Sequence, residues 1–408
     1  MRITPCSRII IGGAGIGGLV TALYLFHLGF RNVKLIESAK EMRALGLGIN
    51  IQPEAVRVLS DLGLAKGLEQ TGIATAELRY LDSSGDLIFR QPCGIRAGNQ
   101  FPQYSIHRGE LQSLLLAEVN RVLGEEAILT GLEIVDVSQS SREVTVSCKN
   151  KRMGGDCTLK SELLIGADGI DSAVRSKLHP GSESVKWNLI NIWRGVTLLD
   201  SFLDGKTMTI ICDRNWSRLV MYPISKSHAG NGKVLVNWVC LVPSGRSQLE
   251  YSPAWNKSGR LDDVLPYFES WDLGWLDVKA LLSQSESILQ YPMVDRDPLP
   301  FWSRGRITLI GDAAHLMYPT GGNGASQSIL DAAGLAFSLL ANDDIDSALV
   351  DYESRRRDSV YRLVLANRKR ETEEWKVAAM PLEDKRFFIK EIFENYDSDT
   401  KSSRCVLN

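Results

Sequence analysis

Within its first thirty residues the chain runs "RIIIGGAGIGGLVTALYLFHLGF" (Arg8–Phe30), and few stretches leave a fold less freedom. Arg8–Gly12 is a short β-branched run of the kind that forms a buried parallel strand. Gly13-Ala14-Gly15-Ile16-Gly17-Gly18 satisfies G-x-G-x-x-G, and Ile16–Gly29 carries a helical pattern closed by a glycine. "NVKLIE" then predicts a second strand ending on Glu37. Strand, glycine turn, helix and strand in about 30 residues make a βαβ unit. In such a unit Gly13 allows the tight turn, Gly15 lets a pyrophosphate approach the backbone, and Gly18 permits close helix–strand packing. The positive end of the helix faces the phosphates. Glu37 is placed to accept hydrogen bonds from a ribose, which requires a free 2′-hydroxyl and suits FAD or NAD better than NADP. The alternative for Glu37 is a solvent-exposed carboxylate at a strand end.

Further along, Pro53–Leu62 reads as a helix with proline in its first turn. "AELRYLDSSGDLIFR" alternates around Ser-Ser-Gly-Asp, a hairpin signature, and "HRGELQSLLLAEVNRVL" is helical. "EIVDVSQSSREVTVSCKN" is a second hairpin, and "ELLIGADG" returns to a buried strand. From about Val185 to Val242, "NLINIWRGVTLL", "KTMTIICD", "SRLVMYPI" and "KVLVNWVCLV" predict an antiparallel sheet inserted into the first domain. A buried strand recurs at Ile307–Gly311, and the chain from Gly324 to about Tyr396 is mostly helical. "DYESRRRDSVYRLVLANRKRETEEW" reads as a charged surface helix, with Arg355–Arg357 as a solvated face. At 408 residues the chain exceeds one ordinary core, so two interlocked domains are expected.

A net charge of −2 gives no reason to expect nucleic acid or an anionic membrane surface as partner. The longest apolar helix candidate, Gly324–Ala341, contains Gln327 and Asp331 and reads as buried core, not as a membrane span. Seven scattered cysteines without a CxxC pair, and no signal peptide, fit a reducing, cytoplasmic setting. Cys405-Val406-Leu407-Asn408 has the form of a prenylation site. Asn is not a usual last residue there, so a frayed polar tail is the expectation. The five histidines show no ligand spacing, no metal site is expected, and His315 is expected to serve as a structural hydrogen-bonding group.

Two later turns decide for a flavin. "LLIGADGIDSAVR" places Asp168-Gly169 after one buried strand, and "RITLIGDAAHLMYPTGGNGASQSILDAAGLA" places Gly311-Asp312 after another. A simple dehydrogenase needs no such distant second acid. FAD is long, and Asp312 can accept from its ribityl hydroxyls. The loop Gly321-Gly322-Asn323-Gly324 leaves backbone N–H groups free beside the ring and opens a helix with Asn323 as N-cap. The positive end of that helix would stabilise negative charge on the reduced isoalloxazine.

The glycine turn with Glu37, "ADG" at Ala167–Gly169 and "GDAAH" at Gly311–His315 together resemble the p-hydroxybenzoate hydroxylase-like (group A) FAD-dependent aromatic monooxygenases over nearly the whole chain. "LGLGINIQP", "PQYSIHRGEL", "WRGVT", "DGKTM", "NWVC", "SWDLGW" and "QYPMVDRDPLP" look like the 5-methylphenazine-1-carboxylate 1-monooxygenase branch, which replaces a ring carboxylate by hydroxyl in pyocyanin formation. The expected fold is therefore α/β: a Rossmann-like FAD-binding domain with a parallel sheet, an inserted antiparallel-sheet substrate domain, and C-terminal helices. The FAD-binding domain is expected over 1–75, 101–182 and 285–345, the substrate domain over 76–100 and 183–284, and a helical region with a polar tail over 346–408. The resemblance also implies that Arg43 and Arg108 contact the FAD pyrophosphate or ribityl region. Gly48 and Ile49 would lie beside the ring, backbone near Leu132 would touch adenine, Asp168 would sit near the NADPH approach and the FAD phosphates, and Ala325 would meet the pyrimidine edge. Arg43 could equally be a surface residue. Asn323 stands where many relatives have Gln.

The implied cycle begins with hydride from NADH or NADPH to FAD. Reduced FAD then takes up O2 as a C4a-hydroperoxide whose outer oxygen attacks an electron-rich ring. The protein supplies orientation, electrostatics and dryness. A ring pocket is expected between the antiparallel sheet and the flavin, drawn from Trp193, Arg194, Met221, Tyr222, Trp238, Tyr318 and Pro319. Arg194, pairing with a substrate carboxylate or a flavin edge, and Tyr222, polarising a ring hydroxyl, are the expected catalytic groups. Strand alternation lets only one of Trp193 and Arg194 point inward. The alternative puts Trp193 and Trp238 in the sheet core and Arg194 in an interdomain salt bridge. The substrate would be a small aromatic or heteroaromatic acid, benzoate- or phenazine-like, losing carbon dioxide if the attacked carbon carries the carboxylate. An FAD oxidoreductase without oxygen insertion and a non-catalytic prenylated binding protein stay open as other readings, and a monomer or homodimer is expected.

Overall fold

The computed structural model describes residues 4–404 apart from 44–45, 183, 229–230, 247–248 and 250–256. Cys405, with its prenylation-like context, lies outside the described residues. The central sheet is six-stranded, ordered Ser303–Arg304, Ile307–Leu309, Leu163–Gly166, Ile9–Gly12, Val33–Glu37, Ile128–Thr130. All neighbours pair in parallel except the first two strands. Ile9–Gly12 and Leu163–Gly166 are buried along their whole length, as continuous apolar strands must be when both faces of a sheet are covered, here by helices and by the small antiparallel sheet Leu132–Gln139, Val144–Asn150, Asp156–Ser161. Helix Ile16–His27 packs on Gly324–Ala341 over this sheet. The Asp and Gly turns of the sequence motifs thus emerge together at the carboxyl ends of parallel strands, where α/β sheets bind ligands.

The second large sheet has eight strands, ordered Lys257–Ser258, Leu289–Asp295, Lys186–Leu199, Val234–Pro243, Arg218–Ser225, Thr207–Cys212, Glu77–Asp82, Leu87–Pro92. Thr207–Cys212 runs parallel to Glu77–Asp82, and the other pairs are antiparallel. Leu289–Asp295 belongs to this sheet, so the chain leaves it after residue 295 and not near 285 as read from the sequence. Pro292 hid that strand. It is tolerated because the outer neighbour reaches only Leu289 and Gln290.

Alternation gives this sheet two distinct faces. Trp193, Met221 and Trp238 pack on one side with Phe268, Trp271, Leu281 and Leu282. Ile192, Val239, Leu241 and Met293 pack on the other with Tyr318 and with Ile389, Ile392 and Phe393 of helix Leu382–Thr400. A small sheet of Gly48–Ile51, Gln103–His107 and Ile73–Thr75 lies between the large ones.

Helix Ile345–Val377 is not a surface helix. Tyr352, Arg356, Val360, Leu363, Asn367, Arg370, Glu371 and Glu374 form a buried stripe along it. Their spacing of three or four is that of a packed face, obscured in the sequence because charged residues occupy it. Arg355 and Arg357 do meet solvent, paired with Asp351 and Glu353. No helix among the described residues is long and apolar enough to cross a membrane.

Candidate active site

At the nucleotide end, each motif glycine has a separate physical reason. Gly13 has φ +101°, and a Cβ on it would collide with the Ala167 carbonyl. A Cβ on Gly18 would collide with the carbonyl of Gly13. Around Gly15 there is nothing within 4 Å of where a Cβ would sit, so the turn opens onto space there. Helix Ile16–His27 begins at that opening without a side-chain cap, and its first N–H groups are available to an anion. Glu37 is held at the same end: Oε2 accepts from the Ala14 N–H (3.0 Å) and Oε1 from the Ala39 N–H (2.7 Å). Leu132 opens the strand that follows Thr130, the register partner of Glu37.

Two expected contacts fall elsewhere. Arg43 is a surface residue, 69% exposed and paired with Glu41 at 3.1 Å. Asp168 presses its backbone on Gly13, while its carboxylate accepts from Ser172 Oγ (2.5 Å) and the Val174 N–H (3.2 Å) at the start of helix Ala173–Leu178. That carboxylate braces the turn from inside.

At the far end of the sheet, Asp312 follows Gly311, whose φ is +58°. Asp312 is exposed, yet protein surrounds it closely enough that burial pushes its carboxyl upward, with His315 and Arg108 opposing. An accessible carboxylate walled in by protein marks a cleft, and Arg108, exposed at the first position of helix Arg108–Leu123, shares it. A Cβ on Gly324 would also meet open space, and Ala325 beside it is half-buried. Asn323 is not the N-cap expected: it makes no capping bond and donates Nδ2 to the Tyr396 hydroxyl at 2.9 Å. The helix start at Gly324 is thereby left uncapped, as a ligand site requires. Strand Gly48–Ile51 runs beside this loop, since Gln52 Nε2 donates to the Gly321 carbonyl at 3.1 Å and a Cβ on Gly322 would sit 3.1 Å from Asn50 Cβ.

A buried ionic cluster fixes the Gly311-Asp312 turn. Asp331 Oδ2 accepts from the Gly311 N–H (3.0 Å) and lies 2.5 Å from His315 Nε2, and Oδ1 accepts from Arg356 Nε at 2.9 Å. Burial pushes the Asp331 carboxyl upward, but His315, Arg356 and the Gly311 N–H prevail and hold it at about 2.

The substrate-domain sheet meets the cleft at one peptide unit. Arg194 Nη2 and the Tyr222 hydroxyl donate to the Gly48 carbonyl at 2.5 and 3.0 Å, while the Gly48 N–H donates to Asn237 Oδ1 at 2.8 Å. Only glycine fits, because a Cβ would lie 2.6–2.7 Å from Ile224, Asn237 and Tyr222. Arg194 Nη1 donates to the Tyr291 hydroxyl at 3.0 Å, and its buried Nε has no partner. Among the described residues no carboxylate pairs with Arg194. Burial opposes its charge, and the adjacent Tyr291 and Tyr222 keep it on. Burial likewise pushes the Tyr222 phenol up, against Arg194, so it stays a hydroxyl donor.

Trp193, Met221 and Trp238 do not line this region. They belong to the opposite face, where Trp238 Nε1 donates to Thr197 Oγ1 at 3.2 Å. Tyr318 is buried on the cleft side, and Pro319 is exposed. Sequence reading missed Asn237 and Tyr291. Placing Trp238 in the sheet core would have turned Asn237 to the other face by alternation alone.

A sequence model described as the FAD binding domain matches residues 6–367. The chain belongs to the group A FAD-dependent aromatic monooxygenases. It is 49% identical over 399 residues to the phenazine 1,6-dicarboxylic acid hydroxylase PhzS of Lysobacter antibioticus, covering 98% of each chain. With 3-hydroxybenzoate 6-hydroxylase 1 of Aquipseudomonas alcaligenes it is 30% identical over 86% of this chain and 85% of that one. Klebsiella pneumoniae HpxO, solved with FAD and uric acid, superposes with a TM-score of 0.77 at 24% identity, covering 98% of this chain and 96% of that one. A salicylate hydroxylase substrate complex gives 0.73 at 21%, covering 99% of both chains. At such identities these two structures speak for the fold alone. The hydroxylase binds FAD and uses NAD(P)H and O2, so oxygen insertion prevails over the oxidase and binding-protein readings. Among the described residues no cluster of side chains is suited to a metal.

The geometry at Glu37 gives a first test. Glu37→Ala removes the carboxylate expected from the sequence to accept from a ribose hydroxyl, a charge-assisted bond of about 1.5–3 kcal/mol. FAD is expected to bind the apoprotein about 10- to 100-fold more weakly, measured by quenching of flavin fluorescence on reconstitution.

Proposed function

We propose that this hydroxylase acts on a phenazine-type aromatic carboxylic acid and replaces a ring carboxylate by hydroxyl. The observation that carries the reading is its 49% identity over 98% of both chains to a phenazine 1,6-dicarboxylic acid hydroxylase. The site chemistry supports it. Arg194 is an enclosed cation with no carboxylate partner among the described residues, set among the Tyr222 and Tyr291 hydroxyls and the Gly48 carbonyl. An enclosed forked cation of this kind suits an aromatic acid.

In this reading the opening at Gly15 and the start of helix Ile16–His27 hold the pyrophosphate, with Gly13 and Gly18 shaping the turn. Glu37 takes the ribose, and backbone at Leu132 lies at the adenine. Arg108 and Asp312 serve the ribityl and pyrophosphate region, Gly48 and Ile49 flank the ring, and backbone N–H groups at Gly324 and Ala325 face its pyrimidine edge. Bound FAD supplies the activation of O2 once NAD(P)H has reduced it. Arg194 orients the carboxylate-bearing carbon, Tyr222 donates its hydroxyl hydrogen toward the ring or Gly48, and enclosure by protein excludes water. Each turnover consumes one O2 and one NAD(P)H, one oxygen atom entering the ring and the other leaving as water while the carboxylate departs as CO2.

The test presents the holoenzyme with phenazine-1-carboxylate, phenazine-1,6-dicarboxylate and 3-hydroxybenzoate. NAD(P)H oxidation, O2 uptake and product mass are recorded together. The phenazine acids are expected to stimulate both consumptions in step and to give a product with hydroxyl in place of carboxylate. Stimulation by the benzoate alone overturns the substrate class, and a hydroxylated product that keeps every carboxylate overturns the displacement.

A further inference from the structure

The loop Tyr318–Asn323 is held by the two C-terminal helices, a region to which the sequence assigned no role. The Tyr396 hydroxyl, on helix Leu382–Thr400, accepts from Asn323 Nδ2 at 2.9 Å and donates to Asn367 Oδ1 at 2.7 Å. Asn367 Nδ2 in turn donates to the Tyr318 carbonyl at 3.3 Å. A Cβ on Gly321 would collide with the Tyr396 hydroxyl, so the loop is moulded on that atom. One turn along from Asn367, Glu371 accepts from Thr320 Oγ1 at 2.5 Å and from both Nη atoms of Arg218, in the substrate sheet, at 3.0 and 2.7 Å. Tyr318 anchors one end of the loop in the core and Gln52 Nε2 holds the Gly321 carbonyl, while Gly321 and Gly322 have φ of +75° and +65° and are exposed or half-buried. The conformation of the glycine tip is therefore decided by hydrogen bonds more than by packing.

We propose that Tyr396 is a positioning residue for hydroxylation: its hydroxyl fixes the Tyr318–Asn323 loop, and the loop sets the flavin ring against the substrate. The inference rests on the reading that this loop meets the flavin. It acts through the loop and touches no reacting atom, so its signature is the fate of oxygen and not the rate of hydride uptake. When the ring sits off its position, NAD(P)H, H+ and O2 end as NAD(P)+ and H2O2 without substrate being hydroxylated.

Tyr396→Phe deletes the hydroxyl and keeps the ring that stacks with Arg370. Losing a hydrogen bond of about 1 kcal/mol shifts a loop equilibrium about fivefold. The holoenzyme variant is expected to raise the ratio of H2O2 to hydroxylated product by about that factor, with the KM for NAD(P)H unchanged. Asn323→Ala, which removes the same bond from the loop side, is expected to do likewise. Asp397→Ala loosens the same helix elsewhere by removing the acceptor of Gln91 Nε2, and is expected to leave the ratio as it was. Gly322→Ala strains the loop directly and is expected to shift both the ratio and the flavin absorption band.

Unchanged coupling in Tyr396→Phe and Asn323→Ala, with a shift in Gly322→Ala, overturns the role of Tyr396 but not the loop reading. Equal shifts in Tyr396→Phe and Asp397→Ala overturn it in favour of general loosening. No effect of Gly322→Ala on coupling or absorption removes the loop from the flavin, and the inference goes with it.

Discussion

Arg194→Met is expected to lower kcat/KM for an aromatic carboxylate about 100- to 1,000-fold, while the holoenzyme unfolds at or above the parent's midpoint. Truncating one partner of an enclosed charge pair typically costs 2–5 kcal/mol of binding, about tenfold for each 1.4 kcal/mol. The stability half follows from what Arg194 lacks. It is a surrounded cation whose described partners are a tyrosine hydroxyl and the Gly48 carbonyl, with Nε unmatched. An enclosed charge without a counter-ion opposes folding by several kcal/mol, and methionine fills similar space without that penalty. The Gly48 carbonyl keeps its bond from Tyr222. A residue that burdens the empty protein and serves the loaded one is the pattern of a ligand site. Steady-state kinetics with a substrate and its neutral carboxamide separate the two halves: the carboxamide is expected to lose less than tenfold. Equal losses for both compounds would mean that Arg194 serves the flavin or the Gly48 strand and not the carboxylate.

The βαβ frame at the amino end was legible because glycine turns and strand ends are written locally. Gly13, Gly15, Gly18 and Glu37 fall within 25 consecutive positions, and Glu37 accepts from the Ala14 N–H of the glycine turn itself. The substrate half was less so. Which of Trp193 and Arg194 faces the cleft depends on what lies across the sheet, and cover by Phe268 and Trp271 arrives from about 75 residues downstream. Aromatic residues were expected to line an aromatic pocket. Here the tryptophans fill the substrate-domain core, and smaller polar neighbours one position away, Asn237 above all, reach the cleft.

The buried face of helix Ile345–Val377 was misread for a different reason. Charge suggests solvent when a residue is considered alone, yet Arg356, Glu371 and Glu374 are buried because each has a partner on another element, and Arg370 because it pairs with Glu374 on its own helix and stacks on Phe393 and Tyr396. Arg218 comes from the substrate sheet and Asp331 from helix Gly324–Ala341. The first pair spans 153 positions and the second joins two different helices. Spacing was the available clue, since the buried charges share the stripe of Val360, Leu363 and Asn367.

One of those pairs gives the largest expected loss of stability. Asp331→Asn leaves Arg356, fully buried, facing an amide, and breaking a buried pair by removing one charge costs about 3–5 kcal/mol. At pH 7 the denaturant midpoint of the variant is expected to fall well below the parent's. Flavin is expected to leave before the chain unfolds, because Asp331 also holds the Gly311 N–H and with it the turn that carries Asp312. The sign of the pH dependence follows from the Asp331 carboxyl, lowered from an ordinary 3.8 to about 2 in the folded protein. A depressed carboxylate stabilises the fold above its unfolded value, and that contribution fades as pH falls from about 4 through about 2. Parent and variant should therefore converge across this window, the parent losing what the variant never had. Tryptophan fluorescence in urea, at steps from pH 7 to pH 2, measures both midpoints. Coincident midpoints at pH 7, or a gap that persists undiminished at pH 2, would show that the Asp331–Arg356 pair does not hold the Gly311-Asp312 turn in place.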